Sequence, residues 1–393
     1  MANYVKVGLE GTFGTPAPST SGILVTGVSD TIDRGSMIEE TISDYLPRSA
    51  YGGALQPSGT IDANLRALQC ENLIHALMGT QSIAGTTRTY TFGEPDSFTL
   101  KLGEDTSAKK EFTYTGCGIS SADFAFETKD FTKITFNWIA KDVSNTSSGF
   151  DDAVSYTNEQ PIVFYRAYVT IAGDSSIGIK SLSMSIDRGL DTEQFVLGSF
   201  KRYRLAMTSQ TSVTGSVTFT ENEFDELMKA MFGESTNLTI PDNNQLGTGS
   251  MVIECRTVDG NSTFVITCPI SIYNNVSRNL SGKTEVEKTV DYTVISDPDT
   301  PFSIAITDNT ITPIAITSIT PTPASGTSPL TVSFAAVVTG DPTYYKWSFG
   351  DGEVSYETAP SHTFDSAGTY TVTLTIDKMD VESESDTVSV VVS

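Results

Sequence analysis

Apolar residues along this chain mostly follow a period of two. Phe98, Leu100 and Leu102 alternate with polar neighbours, as do Phe112 and Tyr114, Phe124 and Phe126, and Ile134, Phe136 and Trp138. The habit returns in MVIECRT (251–257), TFVITCPISIY (263–273) and EVEKTVDYTVI (285–295). Successive side chains of a strand point to opposite faces, so this spacing, rich in threonine, valine and aromatics, predicts antiparallel strands with one buried face. Two segments break the rhythm. QCENLIHALMG (69–79) sets Cys70, Leu73, Ile74 and Leu77 at helical spacing, and EFDELMKAMFG (223–233) does so with Phe224, Leu227, Met228 and Met231. Each ends on a glycine, the residue best suited to the left-handed turn that closes a helix. Thr220 and Glu223 add a capping box to the second.

The tetrapeptide IDRG occurs at Ile32 and again at Ile186, an offset of 154. The same offset aligns Leu73 with Leu227, Ala76 with Ala230 and Gly79 with Gly233. PSGTIDANL (57–65) aligns with VTGSVTFT (213–220) after a slip of two residues. One offset shared by several elements means a duplicated domain. Each copy reads as a β-sandwich or barrel with one flanking helix, the first over 1–150 and the second over 151–312.

A long connection follows the IDRG strand in both copies, at about 36–56 and 190–211. Connections of this length without structure of their own usually bind something. The first holds Tyr45, Leu46, Pro47, Arg48 and Tyr51; the second holds Phe195, Leu197, Phe200, Arg202, Tyr203 and Leu205. Aromatics and arginine are enriched in interface cores. A strand pair of the sandwich is the alternative reading.

The texture changes after Asp308. ITPIAITSITPTPASGTSPLTVSF is rich in Pro, Thr and Ser and reads as a linker into a new domain. Beyond it, Trp347 lies on a strand that ends at Gly350-Asp351-Gly352, where glycines supply positive φ for a tight turn. Tyr370, Val372, Leu374 and Ile376 alternate on a later strand. Through WSFGDG and SHTFDSAGTYTVTLTI, residues 313–393 resemble the PKD family of immunoglobulin-like sandwiches. The resemblance implies a module for display or adhesion, with His362 as the family's structural histidine. Asp351 reads as a turn residue.

Charge narrows the possible partners. The 393 residues carry a formal net charge of −24, with 48 acidic against 24 basic side chains. Such a surface repels nucleic acid and anionic membranes, which excludes DNA binding through a basic patch but suits a surface that DNA passes without sticking. No secretion signal and no run of about 18 apolar residues is present, so synthesis in the cytoplasm without membrane insertion is expected. Cys70, Cys117, Cys255 and Cys268 lack metal-type spacing, and the hairpin turn at Asp259-Gly260 would offset Cys255 from Cys268 too far for a disulfide. Reduced, buried thiols are expected. The only histidines are His75 and His362, and no nucleophile or phosphate-loop motif accompanies them. The chain therefore reads as no enzyme, with no catalytic residue, no cofactor and no metal site.

The arm VKVGLEGTFGTPAP (5–18), the long loop after the IDRG strand, the strand-helix-strand order and the glycine-ended helix together resemble the major tail tube proteins of long-tailed, siphovirus-type viruses. The resemblance covers roughly residues 1–300. It implies a mostly β fold of two tandem tail-tube domains followed by the PKD module. It also implies six-domain rings, hence homotrimers of this two-copy chain, stacked around a channel through which the viral genome passes without specific binding. Arm and loop would bridge stacked rings, which assigns Tyr45, Arg48, Tyr51, Phe200, Arg202 and Tyr203 to inter-ring contacts. Further implied partners are other tail proteins at the tube ends and a host surface touched by the outward PKD domain. The chain would then be a virion protein made in the host cytoplasm. A cell-surface or secreted adhesin of repeated sandwiches is the alternative, and it would call for a signal peptide. A minor tube or baseplate-hub protein would share the fold.

Overall fold

The computed structural model describes residues 3–39, 49–106, 109–147, 149–171, 178–219, 248–279, 287–310, 314–340, 342, 344–378 and 382–393. Strands dominate, and among the described residues there is one α-helix. The chain divides into two compact units, residues 1–81 with 90–306, and residues 82–89 with 307–393.

In the first unit one antiparallel sheet runs through both repeats. Its strands in chain order are β1 (Gly27–Asp33), β2 (Gln56–Asn64), β3 (Lys110–Glu127), β4 (Lys133–Ile139), β5 (Ile179–Asp187), β6 (Ser212–Phe219), β7 (Ser262–Asn279) and β8 (Glu287–Ile295). The first repeat is ordered β1-β2-β4-β3 and the second β5-β6-β8-β7. The two halves join because β3 pairs with β5, from Ser121 opposite Asp187 to Glu127 opposite Ser181.

The duplication persists rung by rung. Phe136 stands opposite Ala122, and 154 residues on Val290 stands opposite Val276; Trp138 faces Ile119 as Tyr292 faces Tyr273. Both ladders skip one residue at the matching place, Ser120 in β3 and Asn274 in β7, a β-bulge kept in both copies. The slip of two is visible as well, since Phe136 opposes Ile61 whereas Val290 opposes Val217. The extra residues therefore lie in the connection before β6.

The first halves of β3 and β7 leave this sheet for other partners. β3 pairs there with Phe98–Glu104 and Asp142–Thr146, and β7 pairs with Thr248–Arg256. Tyr4–Leu9 and Ala167–Ile171 flank these partners in the two repeats. The helix α1 (Glu71–Met78) rests on β3, Tyr4–Leu9 and Phe98–Glu104, burying Leu73, Ile74, Ala76, Leu77 and Met78. It ends as its sequence suggests, with Gly79 at φ 88° donating its N–H to the His75 carbonyl. Glu159 serves the helix entry, accepting the N–H groups of Leu68 and Gln69 at 3.0 and 3.2 Å and the Ser262 hydroxyl at 2.5 Å. Burial pushes this carboxyl up despite those hydrogen bonds. The second helical segment, 223–233, lies outside the described residues together with Thr220.

One apolar core serves both repeats and includes Trp138 and all four cysteines, which are free thiols. The expected hairpin offset holds, with Cys255 opposite Phe264 and Cys268 opposite Met251.

The C-terminal module packs a three-stranded sheet and a five-stranded sheet around Trp347, Phe334, Phe364 and Leu374. The Pro/Thr/Ser-rich stretch is not simply a linker. Ala315–Thr322 and Leu330–Thr339 are paired strands of the module, because Ile316, Ile319, Val332 and Phe334 give them an apolar face.

Candidate assembly surfaces

The eight-strand sheet has one face on the core and one toward solvent. Hydroxyl and amide side chains dominate the solvent face and bond across the strands. Ser29 and Thr60 hydroxyls meet at 2.8 Å, Ser183 and Ser216 at 2.9 Å, and Thr218 and Thr289 at 2.9 Å. Thr135 donates to Asp62 at 2.6 Å, and Asn137 donates to Ser121 at 2.9 Å and to Asp123 at 3.3 Å. By strand alternation Asp33, Asp62, Asp123, Glu127, Asp187, Glu287 and Asp291 all stand on this face, with Lys133 as a basic residue and Lys180 paired with Glu287. The described part of this face is therefore net acidic, which repels a phosphate backbone.

The edges of the sheet differ between repeats. Val28 and Ile32 on β1 are 40% and 46% exposed, whereas their counterparts 154 residues on, Leu182 and Ile186 on β5, are 2% and 0% exposed. Sequence alone does not distinguish these strands. β5 is covered by β3, and among the described residues no strand covers the outer side of β1.

Of the six residues expected between rings, Tyr45 and Arg48 lie outside the described residues. Tyr51 is exposed on Ser49–Gly52, which pairs with Ser36–Glu39 as a separate two-stranded sheet carrying exposed Met37 and Ile38. The first connection is therefore a strand pair of its own, outside the main sheet. The second connection is irregular, with exposed Phe200 and Tyr203 and an exposed tip at Leu197, where Gly198 takes φ 88°.

Arg202 requires a correction. Its side chain is buried, with Nη1 donating to the Ala140 carbonyl at 2.5 Å, Nε donating to the Thr192 carbonyl at 3.2 Å, and the guanidinium over the Phe195 ring. Desolvation lowers its pKa. Lys201 pairs with Asp142 at 2.5 Å, and the Leu55 N–H donates to the Phe200 carbonyl at 2.7 Å. Arg202 thus fastens the second-repeat connection onto the first repeat and leaves its neighbours Phe200 and Tyr203 outside. Arginine in an aromatic loop looks the same in sequence whether it anchors the loop or meets a partner.

The N-terminal arm is held by one carboxylate. Glu10 accepts from Gly14 N at 2.8 Å, from Ser97 Oγ, Thr99 Oγ1 and Gly116 N at 2.9 Å each. Beneath it, buried Glu111 accepts from Tyr4 Oη at 2.6 Å and Lys101 Nζ at 3.0 Å. Burial would raise the Glu111 carboxyl, but Tyr4 and Lys101 outweigh it and hold it low.

Each histidine faces a carboxylate, His75 with Asp96 at 3.3 Å and His362 with Asp351 at 2.7 Å. The His362 ring stacks on Phe349 at 4.0 Å. Among the described residues no group of three His, Cys, Asp or Glu side chains is placed to hold a metal, and no helix is long and apolar enough to cross a membrane.

A family model described as phage tail tube protein matches residues 3–294, and a PKD domain model matches residues 311–392. Among solved structures, the chain is similar to the PKD1 domain of the Vibrio cholerae metalloprotease PrtV. Identity is 26% over 19% of this chain and 91% of that one, with a TM-score of 0.17. No curated protein matches the chain.

Proposed function

Because the chain belongs to the phage tail tube protein family, a family of structural tail proteins, we propose that three copies close into a pseudo-hexameric ring and that stacked rings form the tube wall of a siphovirus-type virion. The observation that carries this reading is the contrast between Val28 and Ile32, exposed on β1, and Leu182 and Ile186, buried on β5 where β3 pairs with it. Repeating that pairing between chains would set β7 of one copy along β1 of the next, with Asn275 opposite Asp33 and Asn279 opposite Ser29, by the rungs that join Ser121 to Asp187 and Ala125 to Ser183. A head-to-tail contact of this kind closes a ring when the rotation allows, and closure removes the exposed edges. The acidic hydroxyl-rich face would then line the channel, where it repels DNA phosphates and lets the genome slide. Tyr51, Phe200 and Tyr203, with Leu197, are the proposed contacts between rings, and Tyr45 joins them by its place in the first connection. The PKD module would stand outside, free to touch a host surface, while other tail proteins meet the tube ends.

Ile32→Lys tests the seam. It places a charge on the open edge and leaves the core of the chain alone, so folded monomers are expected at concentrations where the natural chain forms rings, as read by mass photometry. Rings of normal mass from this variant would overturn the seam.

A further inference from the structure

A groove of about 320 Å³ lies at the edge of the second repeat, lined by its Thr211, Val213, Val294, Ser296 and Phe302 together with Thr91 and Phe92 of the first repeat. On the first repeat the equivalent place is filled. The offsets of 154 along β8 and 156 along β6 map Val294 to Ala140, Ser296 to Asp142, Val213 to Pro57 and Thr211 to Leu55. Three of these positions are held by the chain's own second connection. The Ala140 carbonyl accepts from Arg202, Asp142 pairs with Lys201, and the Leu55 N–H donates to Phe200. Burial follows the occupancy, since Ala140 is fully buried while its counterpart Val294 is only partly buried.

We propose that this groove receives the first connection, residues 36–56, of a neighbouring chain, docked as residues 190–211 dock within the chain. The proposal rests on the ring reading and adds a contact to it. Leu46-Pro47-Arg48 stands 154 residues before Phe200-Lys201-Arg202, and with the two extra residues of the second connection placed after Arg202, Arg48 is the counterpart of the buried anchor. Its guanidinium would donate to the Val294 carbonyl as Arg202 donates to that of Ala140. The neighbouring ion pair changes on both sides together. Where the chain pairs Lys201 with Asp142, the proposed contact brings Pro47 to Ser296, so neither partner is left with an uncompensated charge. The hairpin of that connection also holds exposed apolar surface at Met37 and Ile38 that a neighbour would cover.

The test is cross-linking of assembled protein carrying Pro47→Cys and Ser296→Cys, with a short bis-maleimide and a denaturing gel. The four natural cysteines are buried and stay silent. Covalent species should rise to three chains and stop, while the control pair Lys201→Cys with Asp142→Cys should link within one chain. Arg48→Ala should raise the concentration for half-assembly about tenfold, the scale of one lost hydrogen bond from a charged group. Rings intact by electron microscopy with no link between chains would overturn this contact and leave the ring standing. A ladder running past three chains would overturn it in favour of a reach between rings. Absence of rings from the natural chain would remove both readings.

Discussion

Ser185 of the second repeat donates its hydroxyl to Asp123 of the first at 2.5 Å, directly across the rung that pairs β3 with β5. Asp123 also accepts from Asn137, so one carboxylate ties two strands of its own repeat to the neighbouring repeat. At the proposed seam between chains the matching positions are Ser277 and Thr31, two hydroxyls. At this rung the seam inside the chain has a charged acceptor that the proposed seam between chains would lack. In a double-mutant cycle, Ser185→Ala and Asp123→Ala should couple by about 0.5–1.5 kcal/mol in chemical denaturation. Strict additivity would mean the contact contributes nothing.

Gly59 and Gly215 occupy matching places under the large aromatics of the two repeats. A Cβ at Gly59 would lie 2.0 Å from the Ser29 carbonyl oxygen and 2.8 Å from the Trp138 ring; at Gly215 it would lie 2.0 Å from the Ser183 carbonyl oxygen and 2.5 Å from the Tyr292 hydroxyl. Backbone atoms of a paired strand cannot give way cheaply. Either glycine changed to alanine should cost about 2–3 kcal/mol or more, seen as a lowered thermal midpoint. An unchanged midpoint would contradict the packing.

Arg202 and Tyr203 are adjacent and should behave differently. Arg202→Ala leaves the Ala140 and Thr192 carbonyls without their donor and should loosen the second connection, with faster protease cleavage between 190 and 211 in the isolated chain. Lysine should not restore it, since a single ammonium cannot reach both carbonyls in the geometry of the fork. Tyr203→Ala should leave cleavage and stability unchanged and impair only the stacking of rings. Equal cleavage of the two variants would contradict the division of roles.

Acid should weaken the C-terminal module through Asp351. Burial alone would raise this carboxyl, but the Glu353 N–H and His362 outweigh it and hold it below the usual aspartate range. A carboxyl depressed by folding stabilises above its unfolded pKa and loses that contribution as pH falls through the folded value. Calorimetry should therefore show the module's midpoint falling from about pH 4 downward, the ordinary aspartate range. Asp351→Asn should flatten that part of the profile. A variant profile as steep as the natural one would assign the acid sensitivity elsewhere.

Much of this fold is legible in the sequence because its signals are local. Alternation marks Phe98–Glu104, β3 and β4, and helical spacing closed by glycine marks α1, since each depends on residues within a few positions. The offset between copies survives down to single rungs and a shared bulge. What escapes is set by neighbours distant in sequence. Ile32 and Ile186 stand in the same tetrapeptide, yet one is on an edge and the other is covered by β3. The Pro/Thr/Ser composition of 311–334 hides the strand Ala315–Thr322, whose isoleucines pack only once Leu330–Thr339 lies beside it. Arg202 has the composition of an interface residue and the place of an internal anchor. Its role depends on the Ala140 carbonyl, which no local pattern announces.

Electron microscopy of the purified protein at rising concentration, with class averages viewed down the symmetry axis, tests ring formation most directly. The expected particles are stacked rings of three chains with a pseudo-sixfold wall and an open channel, their inner surface formed by the sheet that carries Asp62, Asp123 and Asp291. Elongated single chains that persist unchanged at every concentration would contradict the tube and favour a chain of sandwiches acting as an adhesin.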